Sequence, residues 1–341
     1  MNIFTDKGYP DIKAWLAEGV PFIFCVGGRG TGKTYSSLLY AYQSNKTFMF
    51  LRNSQTQVKR LMKPQYNVFK KINADKGCNV IVERDEDTGV FYDNTNDEKR
   101  MIGYLSALST FSNFRGPDMS DVDGLLIWDE FIPETQERIV KDAAVVFFNA
   151  YETINRNREL EGRPPVPVLF LANSNKIDNP MFIELGIVRE AEKMLKKGIQ
   201  YHINRDRGYM IIFLNESPIS EQKRETALYK LVGDRSLFYK MSLDNSFNLE
   251  DTELIQSRKL TEYKPLVNVG EITIYQHKSN GSFYVSGHRI EAREAFTSST
   301  PDLKRFMLKY SWLYQRYLQQ LVIFEDYMSL ALFSIYLKGK R

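Results

Sequence analysis

The sequence contains few of the residues that build disulfide frameworks or histidine-based metal sites. Its 341 residues include only two cysteines, Cys25 and Cys78, which cannot form a disulfide framework or a zinc site with paired CxxC spacing. The three histidines, His202, His277 and His288, are widely separated in the sequence. These shortages argue against a disulfide-stapled secreted domain and against a histidine-built metal centre.

Long apolar segments are also missing. The N-terminus has no basic stretch followed by an apolar run, so it predicts no secretory signal. The longest apolar run near the C-terminus, residues 329–337, is too short to span a bilayer and follows Glu325 and Asp326. We therefore expect a cytosolic protein with no membrane partner.

Composition and length describe an ordinary well-packed protein. Apolar residues make up 43% and charged residues 26% of the chain, and the length favours two domains over one large core. The net charge of +4 does not decide whether the partner is a nucleic acid, because a basic patch can lie on a nearly neutral protein.

Short apolar runs alternate with helix-compatible segments over the first two thirds of the chain. The runs that predict buried strands are residues 22–26, 47–51, 125–128 and 166–171, with shorter candidates at 80–82, 91–92 and 101–105. Helical patterns cover residues 34–42 and 139–160. This alternation predicts an α/β domain with a mostly parallel sheet and flanking helices.

The pattern changes after about residue 215. We predict a first domain over residues 1–215, a linker over 216–247 and a smaller C-terminal α+β domain over 248–341. Its clearest feature is a hairpin whose strands, 272–275 and 283–285, are joined through Asn280 and Gly281. Helix-like sequence over residues 303–337 closes the chain.

A phosphate-binding motif of the form G-x-x-x-x-G-K-[ST] follows the first predicted strand. Its residues are Gly27, Gly28, Arg29, Gly30, Thr31, Gly32, Lys33 and Thr34. Glycines let successive backbone N–H groups turn towards phosphates, and the following helix N-terminus adds to the attraction. We expect Lys33 to reach the β- and γ-phosphates of ATP and the Thr34 hydroxyl to bind Mg²⁺. A chance glycine-rich turn is the alternative, but the strand-loop-helix context argues against it.

Two adjacent carboxylates follow the strand predicted at residues 125–128. Asp129 matches a Walker B aspartate, which holds the hydrated Mg²⁺, and Glu130 is placed to orient or deprotonate the attacking water. A solvated strand end is the alternative, but the phosphate-binding motif earlier in the chain argues against it. The Asp-Glu order favours hydrolysis by water over phosphoryl transfer to a metabolite.

Four further polar residues are candidates for the same site. Asn173, at the tip of the next strand, is predicted to sense the γ-phosphate or the lytic water, although an asparagine can equally cap a turn. Arg156 and Arg158 end the preceding helix, and either could be an arginine finger or could complement the helix dipole. Arg29 is expected to hold nucleotide or a neighbouring carboxylate.

Several motifs together resemble the DNA-packaging ATPases (encapsidation proteins) of phi-twenty-nine-like small tailed phages. They are residues 27–34, 113–116, 128–132, 156–159, 173, 179–180 and 242–245, and the resemblance extends to about Phe247. It implies an ASCE-type P-loop ATPase, related to the terminases, that forms a ring, as a pentamer, on the portal of an empty capsid. The ring would translocate double-stranded DNA from the cytoplasm of the infected host.

The resemblance also implies roles for individual residues. Asp129 would carry Mg²⁺, Glu130 would be the catalytic glutamate and Arg156 would be the preferred finger acting on a neighbouring subunit. The C-terminal domain would be an RNase H-like vestigial nuclease, and some members of the family engage a structural packaging RNA. The acids of this domain show no recognisable metal spacing, so we expect no nuclease activity.

A basic segment over residues 58–77 is the predicted DNA contact. Lys59, Arg60 and Lys63 lead it, Tyr66 and Phe69 lie between its cations, and Asp75 is its only acid. Such a stretch could contact phosphates without regard to base sequence, which a motor requires. A basic, solvated helix with core-facing aromatics is the alternative. We also predict that Arg115 contacts DNA.

Three other functions share parts of this pattern. A helicase or AAA-like remodeler would use the same phosphate site, but no convincing helicase motif set follows Asn173. A P-loop kinase would usually need an arginine-rich lid and has less use for Glu130. A nucleotide-gated scaffold is the non-enzymatic alternative.

Overall fold

The computed structural model describes residues 1–96, 98–114, 119–133, 140–173, 176–214, 224–233 and 252–338. The chain divides into two compact units. One comprises Met1–Lys176 and Lys197–Phe247, and the other comprises Ile177–Lys196 and Asn248–Arg341.

The first unit is built on a nine-stranded sheet. Its strands are β1 Phe22–Gly27, β2 Phe48–Arg52, β3 Val80–Asp85, β4 Thr88–Asp93, β5 Arg100–Ala107, β6 Leu126–Asp129, β7 Val168–Ala172, β8 Tyr201–Asn204 and β9 Tyr209–Leu214. Their order is β3-β4-β5-β2-β6-β7-β1-β9-β8. The six strands from β5 to β9 in this order are parallel, whereas β3, β4 and β8 pair antiparallel. The predicted mostly parallel α/β sheet is confirmed.

The helices of the first unit follow or flank these strands. They are α1 Ile12–Leu16, α2 Lys33–Gln43, α3 Gln55–Leu61, α4 Lys70–Lys76, α5 Ala143–Asn155 and α8 Ala227–Val232, with 3₁₀ turns at Pro64–Tyr66 and Leu108–Phe114. The helix predicted over residues 139–160 is shorter in the structure. It ends at Asn155 because Arg156 takes a positive φ of 42°, which leaves the helical region.

Aromatic packing fixes the central strands. The rings of Phe24 on β1 and Phe170 on β7 stack with centroids 4.3 Å apart, and Trp128 on β6 stacks on Phe147 of α5 at 5.0 Å. All four side chains are almost completely buried, and each such burial stabilises the fold by roughly 1.5–3 kcal/mol. The carboxyl ends of β1, β7 and β6 are therefore held side by side.

The second unit contains a five-stranded sheet ordered β13-β10-β11-β12-β14. Its strands are β10 Tyr263–Val269, β11 Ile272–His277, β12 Phe283–Ser286, β13 Ala295–Phe296 and β14 Val322–Phe324. Its helices are α6 Pro180–Leu185, α7 Val188–Lys196, α9 Thr300–Tyr310, α10 Trp312–Leu318 and α11 Tyr327–Lys338. Short 3₁₀ turns lie at Thr252–Leu254 and Leu260–Glu262. The predicted hairpin is present, because β11 pairs antiparallel with β12. The helix-like sequence predicted over residues 303–337 forms three helices rather than one. The strand β14 interrupts it and pairs with β12 after Gln320 takes a φ of 58°.

Residues 177–196 belong to the second unit, although we predicted them within the first domain. Arg189 of α7 donates to Asp326 with Nε and Oδ2 2.5 Å apart, and the buried Glu192 accepts from the backbone N–H of Tyr327 at 3.2 Å. These partners are more than 130 residues away in sequence, so local pattern could not reveal them. The predicted linker is described only over residues 224–233, which include α8.

Candidate active site

Four neighbouring strands end at one edge of the large sheet and carry the candidate residues there. In the order β2-β6-β7-β1, the residues at or after the strand ends are Arg52, Asp129, Asn173 and the glycine-rich loop. Parallel strands bring their carboxyl ends to the same edge. Asn173 thus emerges between the predicted magnesium ligand and the phosphate loop, as the strand order requires.

The glycine-rich loop has the conformation that its glycines permit. Gly30 and Gly32 have φ values of 74° and 85°, which a residue with a side chain rarely adopts. Lys33, only 5% exposed, donates from Nζ to the carbonyl oxygens of Gly27 and Gly28 at 2.9 and 2.8 Å and to Thr31 Oγ1 at 3.2 Å. The lysine is held inside the loop by acceptors that a phosphate oxygen can replace. The loop therefore presents an ammonium group and a helix N-terminus to an anion.

Gly32 also contacts an aromatic side chain that the sequence did not single out. A Cβ built on Gly32 would lie 2.6 Å from Cδ1 of Tyr9, whose ring packs 5.6 Å from that of Tyr35. Burial and its bond to Asp75 raise the pKa of Tyr35 to about 12. Below the loop, burial raises the pKa of the Cys25 thiol to about 12, so no thiolate forms under the phosphates at neutral pH.

The Gly32→Ala variant should therefore lose most of its ATP affinity, by at least about tenfold. The added methyl group meets Tyr9 and strains a left-handed backbone, and both effects disturb the N–H groups that face the phosphates. Fluorescent-nucleotide titration measures the change. Gly19→Ala is the matched control, because Gly19 has a φ of 76° but no atom within 4 Å of its Cβ position. Equal effects of both variants would contradict the role of the loop.

The predicted magnesium ligands are in contact. Thr34 Oγ1 donates to Asp129 Oδ1 at 3.1 Å, although the two residues are 95 positions apart in sequence. A hydroxyl beside a carboxylate fits Mg²⁺, which binds one or two protein ligands together with phosphate oxygens and waters. Among the described residues no group of three or more His, Cys, Asp or Glu could hold a metal by protein ligands alone. This donor set fits a metal that arrives with a nucleotide.

Arg52, at the end of β2, is a site residue that sequence reasoning missed. Its Nη1 lies 2.6 Å from Asp129 Oδ2, and its Nη2 lies 2.6 Å from Glu130 Oε2. One guanidinium therefore bridges both carboxylates, a geometry that a lysine cannot reproduce. The three side chains are only 11–22% exposed, so solvent screens the cluster weakly. Arg52 occupies one oxygen of each of the two carboxylates for which the sequence predicts roles with Mg²⁺ and the attacking water.

The backbone around Glu130 is unusual. Glu130 has a φ of 61°, and its carbonyl oxygen accepts from Asn53 Nδ2 at 2.6 Å. Gln57 Nε2 approaches Glu130 Oε2 at 3.5 Å, while its side-chain oxygen accepts from the Ser54 N–H in the capping box that begins α3. The segment directly after β2 therefore contacts both the carboxylate and the backbone of the predicted catalytic residue.

The predicted arginines lie in different surroundings. Arg156 is exposed at the C-cap of α5, and its Nε donates to the Thr153 carbonyl oxygen at 3.2 Å. Arg158 is only 7% exposed and lines a cavity of about 480 Å³ formed with Pro21, Leu125 and Pro167, which precede β1, β6 and β7. That position is the edge of the sheet opposite the phosphate loop, so the structure does not bring Arg158 to this site. Arg29 is exposed in the loop itself.

The predicted DNA-contacting residues are on the surface near α3. Lys59, Arg60 and Lys63 are exposed, and Arg60 lies over the ring of Tyr66 with its Cζ 4.6 Å from the centroid. Lys59 Nζ is 3.9 Å from Asp87 Oδ1, a weak and screened pair. Phe69 is buried, so only part of the aromatic content faces solvent. Arg115 and the segment 242–245 lie outside the described residues.

The parallel sheet, the glycine-rich loop and the adjacent carboxylates define a P-loop ATPase. A family model for the Podovirus DNA encapsidation protein (Gp16) matches residues 9–328, and the chain belongs to that family. Among the described residues, no helix is both long enough and apolar enough to cross a membrane.

Solved structures share this fold at low sequence identity. The bacteriophage Phi-29 viral genome packaging motor assembly aligns with a TM-score of 0.70 and 16% identity, covering 99% of both chains. The Phi-28 gp11 DNA packaging motor aligns with a TM-score of 0.64 and 19% identity, covering 95% of this chain and 96% of that one. Comparison with curated proteins finds no match.

Proposed function

We propose that this protein is an ATP-hydrolysing motor that translocates double-stranded viral DNA into a preformed capsid. The observation that carries the proposal is the cluster of Thr34, Asp129, Glu130 and Arg52 beside the phosphate loop. Thr34 and Asp129 are the proposed metal ligands, and Glu130 is the carboxylate that activates water. Arg52 is a cation that can bind either carboxylate. Membership of the DNA encapsidation family supports the coupling of this chemistry to DNA.

In this proposal different residues bind the phosphates, hold Mg²⁺ and activate the attacking water. The loop N–H groups and Lys33 bind the β- and γ-phosphates, and Thr34 and Asp129 hold Mg²⁺. When bound, Mg²⁺ neutralises charge on the phosphate oxygens. Glu130 accepts a proton from the attacking water once Arg52 has left its carboxylate, and Asn173 orients the γ-phosphate or the water. The contact of Arg52 with Glu130 thus keeps this carboxylate from acting as a base until Arg52 leaves it.

The proposed assembly is a homo-oligomeric ring, a pentamer, docked on the procapsid portal in the host cytoplasm. Arg156 is the proposed finger for a neighbouring subunit, because it is exposed and ends a helix whose C-terminus it caps. A guanidinium supplied in this way stabilises charge in the transition state. A structural packaging RNA is a further proposed partner, and the proposed C-terminal RNase H-like domain is assigned no nuclease activity.

The decisive test is ATP hydrolysis by the purified protein with and without double-stranded DNA in Mg²⁺. We expect duplex DNA to stimulate hydrolysis and EDTA to abolish it. Hydrolysis that is indifferent to DNA would contradict the motor and favour a remodeler or kinase-like enzyme. The absence of any hydrolysis would contradict the ATPase assignment for the isolated chain.

We propose that DNA binding is coupled to ATP hydrolysis through the segment that follows β2. The segment from Arg52 to Arg60 contacts Glu130 at its start and carries the exposed cations at its end. Ser54 caps α3 between these two parts, so hydrogen bonds connect the start of the helix to the residues that contact Glu130. DNA phosphates that bind Lys59 and Arg60 would therefore bias the contacts made by Arg52 and Gln57.

Replacing Lys59 and Arg60 together by alanine should lower DNA-stimulated hydrolysis by about tenfold and leave basal hydrolysis within about twofold. Removing two phosphate contacts weakens binding and reduces the salt dependence of stimulation by roughly two counterions. The control is Lys13 with Arg163, two exposed cations elsewhere on the same unit. Equal loss of basal and stimulated rates in the Lys59/Arg60 variant would contradict a DNA contact here.

A further inference from the structure

The side chain of Asn53, the residue after β2, links Trp128 of strand β6 to Glu130, which directly follows that strand. It is 6% exposed, and its Nδ2 donates to the Glu130 carbonyl oxygen at 2.6 Å. Its Oδ1 accepts from Trp128 Nε1 at 2.9 Å. An indole N–H can only donate, so this contact fixes which end of the amide is oxygen. The amide N–H₂ must then face Glu130.

The hydrogen bond from Asn53 reaches the backbone of Glu130, whose conformation is unfavourable without stabilising contacts. Glu130 has a φ of 61°, a conformation that residues with side chains adopt only where surrounding contacts enforce it. The next N–H, that of Phe131, donates to the Leu171 carbonyl oxygen at 3.1 Å, so hydrogen bonding to β7 continues beyond Glu130 after β6 has ended. The direction of the Glu130 side chain depends on this backbone conformation.

We propose that Asn53, oriented by the indole of Trp128, is a positioning residue that holds the Glu130 backbone so that its carboxylate faces the lytic water. The proposal rests on the function proposed above. Arg52 and Asn53 are neighbours in sequence but act differently. Arg52 holds the carboxylate and must release it, whereas Asn53 holds the carbonyl and remains bonded while the carboxylate is exchanged.

The Asn53→Asp variant removes the hydrogen bond to the Glu130 carbonyl oxygen and keeps the one from Trp128. A carboxylate of the same shape still accepts from Trp128 but cannot donate to Glu130, and it places an acceptor against the carbonyl oxygen. We expect kcat to fall by about 10- to 100-fold, because small misplacement of a catalytic group has effects of this size. KM for Mg²⁺·ATP should stay within about threefold, since Asn53 does not touch the phosphate loop. A kcat within about twofold of wild type overturns the proposal.

Asn268→Asp is the matched control. Asn268 is 5% exposed in the second unit, donates to the Ile290 carbonyl oxygen at 3.0 Å and accepts from Thr273 Oγ1 at 2.7 Å. Its replacement imposes the same chemical change on a similarly buried asparagine of the other unit. We expect a lower melting temperature with kcat per folded molecule unchanged. A kcat loss equal to that of Asn53→Asp would reduce the Asn53 effect to general destabilisation and overturn the positioning role.

Trp128→Phe tests whether the indole acts through Asn53. Phenylalanine can still pack against Phe147 but has no N–H, so the amide of Asn53 is free to flip. We expect kcat of the folded variant to fall about tenfold in the wild-type background. In the Asn53→Asp background a further fall should be absent, because contacting residues of one network are not additive. Independent, multiplying losses would contradict the linkage.

A spectroscopic measurement keeps this inference separate from the proposed function. The chain has three tryptophans, so its ¹H–¹⁵N spectrum contains three indole signals, and Trp128→Phe assigns the relevant one. Asn53→Ala should shift that signal and leave the other two in place. If the wild-type protein did not hydrolyse ATP, the proposed function would be overturned. The shift of the Trp128 indole signal would still test the hydrogen bond between Asn53 and Trp128. An unmoved Trp128 signal would overturn the contact whatever the activity.

Discussion

The Glu130→Gln variant should bind Mg²⁺·ATP almost as tightly as wild type and hydrolyse it at least about 100-fold more slowly. Glutamine keeps the length and shape of the side chain but cannot accept a proton, and general-base catalysis contributes about 10²- to 10⁴-fold to such reactions. The hydrogen bonds of Lys33 within the loop and the pair of Thr34 with Asp129 do not involve the Glu130 side chain. A kcat measurement with steady-state phosphate release, paired with nucleotide titration, gives both quantities.

The control for this variant is Glu152→Gln. Glu152 is exposed on α5, so the same removal of one charge should leave hydrolysis unaffected. Loss of ATP binding together with hydrolysis in Glu130→Gln would mean that Glu130 holds the nucleotide rather than the water. Wild-type turnover by Glu130→Gln would mean that another residue is the general base.

The candidate phosphate-binding residues could be proposed from sequence because their motif is contiguous. A loop of eight residues after a strand specifies where backbone N–H groups point, whatever the rest of the fold. Asp129 and Asn173 were also predictable, since each follows a buried apolar run. The structure places both at the carboxyl edge beside the loop, because β7 lies between β1 and β6.

Arg52 and Asn53 were missed although they carry the same signal. They directly follow the apolar run 47–51, as Asp129 follows 125–128. What the sequence could not show is that β2 is the neighbour of β6, which joins residues 77 and 78 positions apart. Strand order depends on long-range packing, whereas strand existence depends on local pattern. A systematic listing of polar residues that end predicted parallel strands would have included both.

The second unit was harder to predict for related reasons. The strand β14 has three residues, too few for periodicity to separate it from the flanking helices. Helix α7 shows a helical pattern locally, but its partner Asp326 lies 137 residues away. The second unit begins at Ile177 in the chain. Sequence position alone placed helices α6 and α7 in the first domain, whereas their contacts group them with the second unit.

Arg52→Ala should destabilise the nucleotide-free protein by about 2–3 kcal/mol. Removing the guanidinium takes away the cation that the adjacent carboxylates of Asp129 and Glu130 share, and breaking a buried ion pair costs about 3–5 kcal/mol. We take a lower value because these side chains keep 11–22% exposure, which lets water screen part of the repulsion. Thermal melting without nucleotide measures the loss.

The same variant should gain more stability than wild type from Mg²⁺ with a non-hydrolysable ATP analogue. In wild type the metal must displace Arg52 from Asp129, whereas in Arg52→Ala those oxygens are already available. The difference in melting temperature between the two proteins should therefore shrink when the ligand saturates both. Arg52→Lys should fall between them, because an ammonium group cannot span both carboxylates. A constant difference with and without ligand would mean that Arg52 and Mg²⁺ do not compete, and that Arg52 does not restrain Glu130 in the absence of substrate.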